Sequence, residues 1–471
     1  MRTMTPGDHD DGGRGGPLRT YFVLRAVGAL ANQLLQFAVP VLVYEATGSA
    51  TWSGVALFVE WLPRLTSLPL AGPLVDRFSL RRVYVVSDGV RCAAAWLVAL
   101  LVTVDPSASR TGLIVLALIA GASFEQSFVA GEKAMLVLVV PARMQRAQSL
   151  LGGIDQAMLL AGPAVGAALL PAGPAATVTV IATLFTVSLL LARTLPRTDH
   201  PPADGASGVG GDAAAPATTL RLADLRSDLA AGVRRVFGSP VLRLVVAVAF
   251  TVNLALGLLL ASGPALVQTS HGRSGSALGI VYLLGGLASM AVLAVTSRVI
   301  NRMGLVAVGV CSALLSLAAC TALGVAPGFG WFVVLAVAFL TAESVFTVFI
   351  RVVRARLVPE AEFGRVVGVV VLLNLASMPL AGLLVAAGAG FLPLPWLVTA
   401  SGGVALVVGA GLLWRLWQLM PQTRTSEAAA DRRWVVHALE TVAFETVALE
   451  TAVVDGTVLD KAVCAPQRET T

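Results

Sequence analysis

AGPLVDRFSLRRV, residues 71–83, packs one aspartate and three arginines into a link between two long apolar runs. Upstream lies TWSGVALFVEWLPRLTSLPL (51–70), and downstream VYVVSDGVRCAAAWLVALLVTV (83–104). Each run approaches the roughly 20 mostly apolar residues that a helix needs to cross a bilayer. A charged link opened by Gly72-Pro73 is then a turn at a membrane surface, and the reading of the fold grows from it.

The rest of the chain agrees. Of its 471 residues 56% are apolar and only 13% charged, and the mean hydropathy is +0.83. A soluble domain is about 25% charged, so this chain has too little polar surface to face water. Twelve apolar windows follow, at about 20–45, 52–74, 83–104, 111–134, 148–170, 174–195, 240–264, 275–298, 304–325, 329–352, 364–388 and 392–418. The runs are continuous rather than alternating in segments of about ten residues, so they read as helices and not barrel strands. No cleavable signal is visible in the polar, Gly-rich residues 1–19. Cys92, Cys311, Cys320 and Cys464 form no metal or redox spacing, and the first three read as small core residues. His9, His200, His271 and His437 all fall outside the windows, which argues against a buried histidine relay.

The net charge of +6 matters through its placement. With the N-terminus in the cytoplasm, the outward links carry only Arg110 and Arg273. The inward links carry Arg77, Arg81, Arg82, Arg143, Arg146, Arg234, Arg235, Arg298, Arg302, Arg354, Arg356 and Arg365, among others. This is the positive-inside bias. It predicts a multi-pass protein of the cytoplasmic membrane with both termini inside, and it leaves no basic patch for nucleic acid.

The chain divides in two. Residues 1–19 form an N-terminal tail, 20–195 a first six-helix bundle, 196–239 a linker, 240–418 a second six-helix bundle and 419–471 a C-terminal tail. Within the linker, Leu222, Leu225, Leu229, Val233 and Phe237 recur at helical spacing, predicting an amphipathic helix lying on the membrane or on the bundle. The halves echo each other at offsets near 220 residues: Asn301-Arg302 stands for Asp76-Arg77, and Pro359 for Pro141. Parallel six-span halves related by an axis normal to the membrane build one transporter architecture, with the site between them near the midplane.

Gly72-Pro-Leu-Val-Asp76-Arg77-Phe-Ser-Leu-Arg81-Arg82 resembles the signature of the major facilitator superfamily, in its usual place between spans two and three. Ser79 stands where the family has a glycine, and Leu80 is an added residue. DLRSDLAAGVRRVFGSPVLR, VPARMQRAQSL and GPAVGA resemble the drug, macrolide and siderophore exporters, including enterobactin-exporter-like proteins. The resemblance implies an all-helical fold of twelve spans and a cytoplasmic gate in which Asp76 is the latch carboxylate. Arg77, Arg81 and Arg82 would be its partners, extended by Asp88 and Arg91. Orientation alone would explain the arginines but not the aspartate. By the same resemblance Gly162-Pro163-Ala-Val-Gly166 is an antiporter-like motif of span five; close packing of small residues is the other reading.

Charged residues inside spans cost roughly 2.5–3.5 kcal/mol each, so each needs a reason. Glu125 (span four) and Glu343 (span ten) occupy corresponding spans of the two halves and are candidates for proton coupling, with a structural hydrogen bond as the alternative for each. Asp155 is a further candidate, or a gate member. Glu60 and Arg64, at i and i+4, read as an intramembrane ion pair or a transport element. Arg25, Asn32 and Gln36 form one stripe on span one, with Gln33 beside it; these and Gln126 are candidate cavity residues. The family often has an aspartate about where Asn32 sits.

Together these readings predict a secondary exporter of a small organic compound, working by alternating access and exchanging protons. A monomer in the lipid bilayer is expected, with no cofactor, metal or enzymatic activity, and no Walker-type nucleotide loop is present. An importer on the same fold, a membrane enzyme and a scaffold acting through its tail are the rivals.

Overall fold

The computed structural model describes residues 15–139, 144–195, 222–358 and 363–419, and these are helical nearly throughout. In hydrocarbon every backbone N–H and C=O must find its partner within the segment, and a helix achieves this. The first half comprises α1 (Gly15–Thr47), α2 (Ala50–Arg77), α3 (Leu80–Val104), α4 (Ser109–Leu138), α5 (Met144–Leu169) and α6 (Gly173–Thr194). An amphipathic helix, α7 (Leu222–Gly238), precedes the second half: α8 (Pro240–Ala265), α9 (Gly275–Met303), α10 (Leu305–Leu323), α11 (Phe329–Leu357), α12 (Phe363–Leu375), α13 (Ser377–Gly388) and α14 (Leu394–Leu419).

Ten segments are long and apolar enough to cross a membrane, and one of them, Leu150–Thr194, holds both α5 and α6. α2 completes the set: it carries Glu60, Arg64 and three internal prolines, yet packs along α4 as a span. With α12 and α13 taken as two pieces of one crossing, the described helices make twelve crossings, six in each half. The break in the single window at 364–388 has a cause. Pro379 has no N–H to offer the Leu375 carbonyl and its ring crowds that turn, so the helix stops at Ala376.

The two halves repeat one packing scheme. α3 lies against α4 and α6 as α10 lies against α11 and α14; α1 touches α5 and α6 as α8 touches α13 and α14. The α2–α3 and α9–α10 links turn by different means. Gly304, at φ +87°, makes the second in one residue. The first uses two extended residues, Phe78 and Ser79, and the Ser79 hydroxyl caps α3 by accepting from the Arg82 amide. No left-handed conformation is needed there, so serine can stand where the motif has glycine. Cys92 and Cys320 are buried as expected; Cys311 is exposed on α10, a correction to its reading as a core residue.

The halves meet along two seams, α2 with α13 and α5 with α9. Both run along one end of the bundle, the end opposite the α6–α8 connection. There Gly54 and Gly382 let α2 and α13 touch backbone to backbone, the Ser53 hydroxyl donates to the Ala261 carbonyl at 2.8 Å, and Gly279 and Gly286 bring α9 onto Pro163, Ala167 and Leu160 of α5. At the other, linker end the apolar clusters stay within single halves: Tyr21, Val83, Met135 and Leu151 in one, Val236, Val246, Val358 and Val369 in the other. The seams join the halves at the far end, and the apolar clusters at the linker end do not bridge them.

Candidate functional site

Within the first half α1, α2 and α4 form a recess lined by Asn32, Gln33, Gln36, Glu60, Arg64 and Phe124. Three of the four residues read as a polar stripe on α1 therefore do face one space. α2 and α4 are held unusually close beside it: a side chain at Gly121 would run into the Glu60 carbonyl, so only glycine permits this approach.

Arg64 projects from α2 and donates from Nε to Glu125 Oε1 at 2.7 Å. Its guanidinium lies over the rings of Trp61, at 4.4 Å, and Phe124, at 3.5 Å. Carboxylate and aromatic faces together stabilise a cation that is mostly removed from water. This corrects the expected Glu60–Arg64 pair: packing of α2 on α4 presents Arg64 to the neighbouring helix rather than to its own next turn. Glu60 is left 5% exposed with Gln36 and Arg64 nearby, and its Oε2 has no hydrogen-bond partner. Two carboxyl groups thus lie near one guanidinium, which is ion-paired with Glu125 and not with Glu60.

A second polar group stands behind the first. Arg91, 2% exposed, donates to the Asn32 side-chain carbonyl at 3.0 Å, to Asp88 and to Ser127, while Ser188 donates to the other Asp88 oxygen at 2.6 Å. Asp88 and Arg91 were expected to extend the gate. They are instead a buried pair between α1, α3, α4 and α6, reaching the recess through Asn32, because their shared face of α3 turns into the half.

Arg25 is not a recess wall either. It is buried at 8% exposure and donates to both oxygens of Asp155, at 3.2 and 3.0 Å, with Glu132 at 3.6 Å and the Phe128 ring at 4.6 Å. This clasp ties α1 to α4 and α5 toward the linker end. Of the gate motif, Arg77 and Arg82 are exposed, Arg81 is half-buried, and the Asp76 side chain lies outside the described residues, as do Pro141 and Pro359. In the GPAVG stretch, side chains at Gly162 and Gly166 would strike Gln33, Leu34 and Phe37 of α1, while the Pro163 carbonyl approaches Gly279 of α9. The stretch therefore sits where α5 meets both its own half and the other. Glu343 is half-buried on α11 and accepts from Thr347 at 2.9 Å; no described contact joins it to Glu125.

Sequence reading missed several polar atoms that are buried and unpartnered: Trp61 Nε1, Tyr282 Oη, Thr341 Oγ1 and Asn374 Oδ1, besides Gln126 Oε1, which it named. Tyr282 meets Phe37 edge to face across the α1–α9 approach. Asn374 lies two residues before the break at Ala376, and a lone polar residue five positions ahead of Pro379 in an apolar run is the one signal that would have found it. Among the described residues no cluster of metal-ligating side chains occurs.

Two matched helical halves with a polar recess in the first are the architecture of membrane carriers of small molecules. The family model of the Major Facilitator Superfamily matches residues 21–308, and the chain belongs to that family. No curated protein sequence matches it. Its fold is that of solved transporters: the nucleoside transporter NupG (12% identity, TM-score 0.63, 86% of this chain and 100% of that one) and the D-xylose-proton symporter (12%, 0.65, 87% and 100%). A bacterial homologue of the iron transporter ferroportin, in an inward-facing state, is also similar (15%, 0.62, 84% and 98%).

Proposed function

We propose that this carrier exports a small, amphipathic organic compound from the cytoplasm in exchange for protons, as in the drug- and siderophore-exporter branch that its motifs resemble. The observation that carries the reading is Glu60: a buried carboxylate with a free oxygen in the recess, whose neighbouring cation is already held by Glu125. The Glu60 carboxyl holds a proton or pairs with a cationic group of the substrate, and exclusion of one by the other couples their movements. Glu125 and Asp155 each hold an arginine, so they act as fixed counter-charges. Glu343 is the second coupling candidate, in the other half.

The arginine bias places the linker end, with both termini, on the cytoplasmic side of the cell membrane. Residues 20–195 rock as one unit against 240–418, with 1–19, 196–239 and 419–471 as cytoplasmic attachments and the chain acting as a monomer. Arg77, Arg81 and Arg82 with Asp76 form the latch of the opposite, outward-open state.

The test is transport by inverted membrane vesicles with an imposed inside-acid gradient, screened over a panel of amphipathic dyes and antibiotics. Accumulation in the wild type and its loss in Glu60→Gln, with downhill exchange retained, is the expected result. Accumulation driven by an opposite gradient identifies an importer. Undiminished uphill pumping by Glu60→Gln overturns the coupling assignment.

A further inference from the structure

The later part of α11 carries a polar stripe that the proposed cycle uses only at Glu343. From Ala342 to Arg354 every residue is buried except Glu343, Ser344, Thr347, Arg351 and Arg354, and all five are polar. The buried residues are taken up by packing. Val345, Val348 and Val352 meet Ile300 of α9 and Val308 of α10, while Phe346, Phe349 and Val353 join the main apolar core. A helix that faced lipid here would leave apolar residues uncovered, as α11 does nearer its start, where Trp331 and Val334 are 61% and 56% exposed. At about 100° per residue, Trp331 points roughly away from Thr347 and Arg351, and Val334 from Glu343 and Arg354. The stripe therefore faces water and not acyl chains.

Both arginines of the stripe belong to the apolar span Phe329–Arg354. Arg351 is exposed and Arg354 half-buried, and neither forms an ion pair among the described residues. The Arg354 Nε is buried without a hydrogen-bond partner, and a buried donor costs free energy until an acceptor reaches it. The two guanidinium groups are near enough to act on each other as like charges. Glu343 feels the charge of Arg351 but accepts its hydrogen bond from Thr347. With one carboxyl group against two permanently charged guanidinium groups, the stripe is positive whatever the state of Glu343. Orientation in the membrane needs arginines at this end of the helix, but it needs neither their place on the one polar face nor an unpartnered Nε. We propose that Arg351 and Arg354 bind the carboxylate of an organic acid, and that the compound moved by this carrier is an acidic amphiphile. Carboxylate oxygens accept from guanidinium N–H groups in pairs. They supply the Arg354 Nε with its acceptor and offset the repulsion between the two cations. A doubly charged phosphate would be opposed by Glu343 in the same stripe, which favours the singly charged acid. This assignment rests on the reading of the chain as a carrier of a small organic compound, and not on the direction of transport or on proton exchange.

The detergent-purified full-length protein is titrated with rhodamine B, dansylglycine and pyrenebutyrate, each against its methyl ester, and binding is read by fluorescence anisotropy with no gradient present. The wild type should bind the acid more tightly than the ester in at least one pair. Acid no tighter than ester in all three pairs, or no binding at all, overturns the proposal. Arg351→Gln and Arg354→Gln should each lower the preference for the acid about tenfold and leave ester binding in place. Arg193→Gln, an exposed arginine of α6, should keep the preference. A preference unchanged in both α11 variants overturns the proposal. Where a variant loses ester binding as well, its fold is damaged and the wild type decides: saturating acid should protect Arg351 from phenylglyoxal several-fold in peptide mass spectra, and the ester should not. Equal modification with acid and ester overturns the assignment. Failure of this site and failure of the export reading are distinct results. A preference for the acid without uphill pumping leaves the site standing, and uphill pumping without that preference leaves the coupling standing and removes the site.

Discussion

At the level of single residues, the recess separates two intramembrane glutamates, Glu60, read from the sequence as an ion-pair partner of Arg64, and Glu125, read as a proton-coupling candidate. Glu125 completes a buried ion pair; Glu60 is left without one. Removing one partner of a buried pair strands the other and costs about 3–5 kcal/mol, whereas neutralising an uncompensated charge relieves a desolvation cost. Glu125→Gln is therefore expected to lower the thermal unfolding midpoint of the detergent-purified protein by several degrees, and Glu60→Gln to leave it unchanged or raise it. Size-exclusion chromatography after heating measures both, and a Glu60→Gln variant less stable than Glu125→Gln would contradict this pairing. The type and depth of these residues were legible in the sequence, because any acid in an apolar run stands out. Their partners were not. Arg64 is one turn from Glu60 along α2, but partner choice is decided by how α2 packs on α4, which Gly121 permits and no spacing rule records. Asp88 and Arg91 are a similar case: a spacing of three puts them on one face of α3, while which way that face turns depends on α1, α4 and α6.

At the level of elements, the far-end seams are built from glycine. A Cβ on Gly382 would lie 2.7 Å from the Gly54 carbonyl oxygen and the Phe58 amide nitrogen, both backbone atoms that cannot swing aside. Gly382→Val is expected to pry α13 from α2 and shift the carrier away from the state closed at the far end. In a cysteine-free background a cysteine at Ser53, buried under this seam, should then react with an impermeant maleimide several-fold faster than in the parent, and equal rates would show that the seam does not hold the state. Helix positions were largely legible, since a bilayer demands long apolar helices and the sequence supplies them. The interruption before Pro379 was not. Pro40, Pro63, Pro69, Pro73, Pro163 and Pro264 also sit inside spans, and there the helix continues through them. Neighbouring helices supply or withhold partners for the freed carbonyls, so proline alone does not mark a break.

At the level of the whole molecule, the internal echo near 220 residues anticipated the repeated packing scheme, and the conformational state is what only the structure supplies. That state makes a definite statement about motion. If the halves move as rigid bodies, the contacts that close the far end must break in every cycle, and the Ser53–Ala261 contact of 2.8 Å is one of them. A Ser53→Cys/Ala261→Cys pair, again in a cysteine-free background, joins α2 to α8 across the seam when oxidised. Oxidation should abolish transport in both directions and reduction should restore it, since the carrier can no longer open its far end. Substrate binding should survive in the oxidised protein, because neither Ser53 nor Ala261 lines the recess of α1, α2 and α4. The two readouts separate a trapped state from a damaged one: loss of binding together with transport means that the bond distorts the recess, and transport that continues through the oxidised protein means that the halves do not part along α2 and α8. Only retained binding with abolished, reducible transport fits a carrier whose two halves rock about a fixed central site.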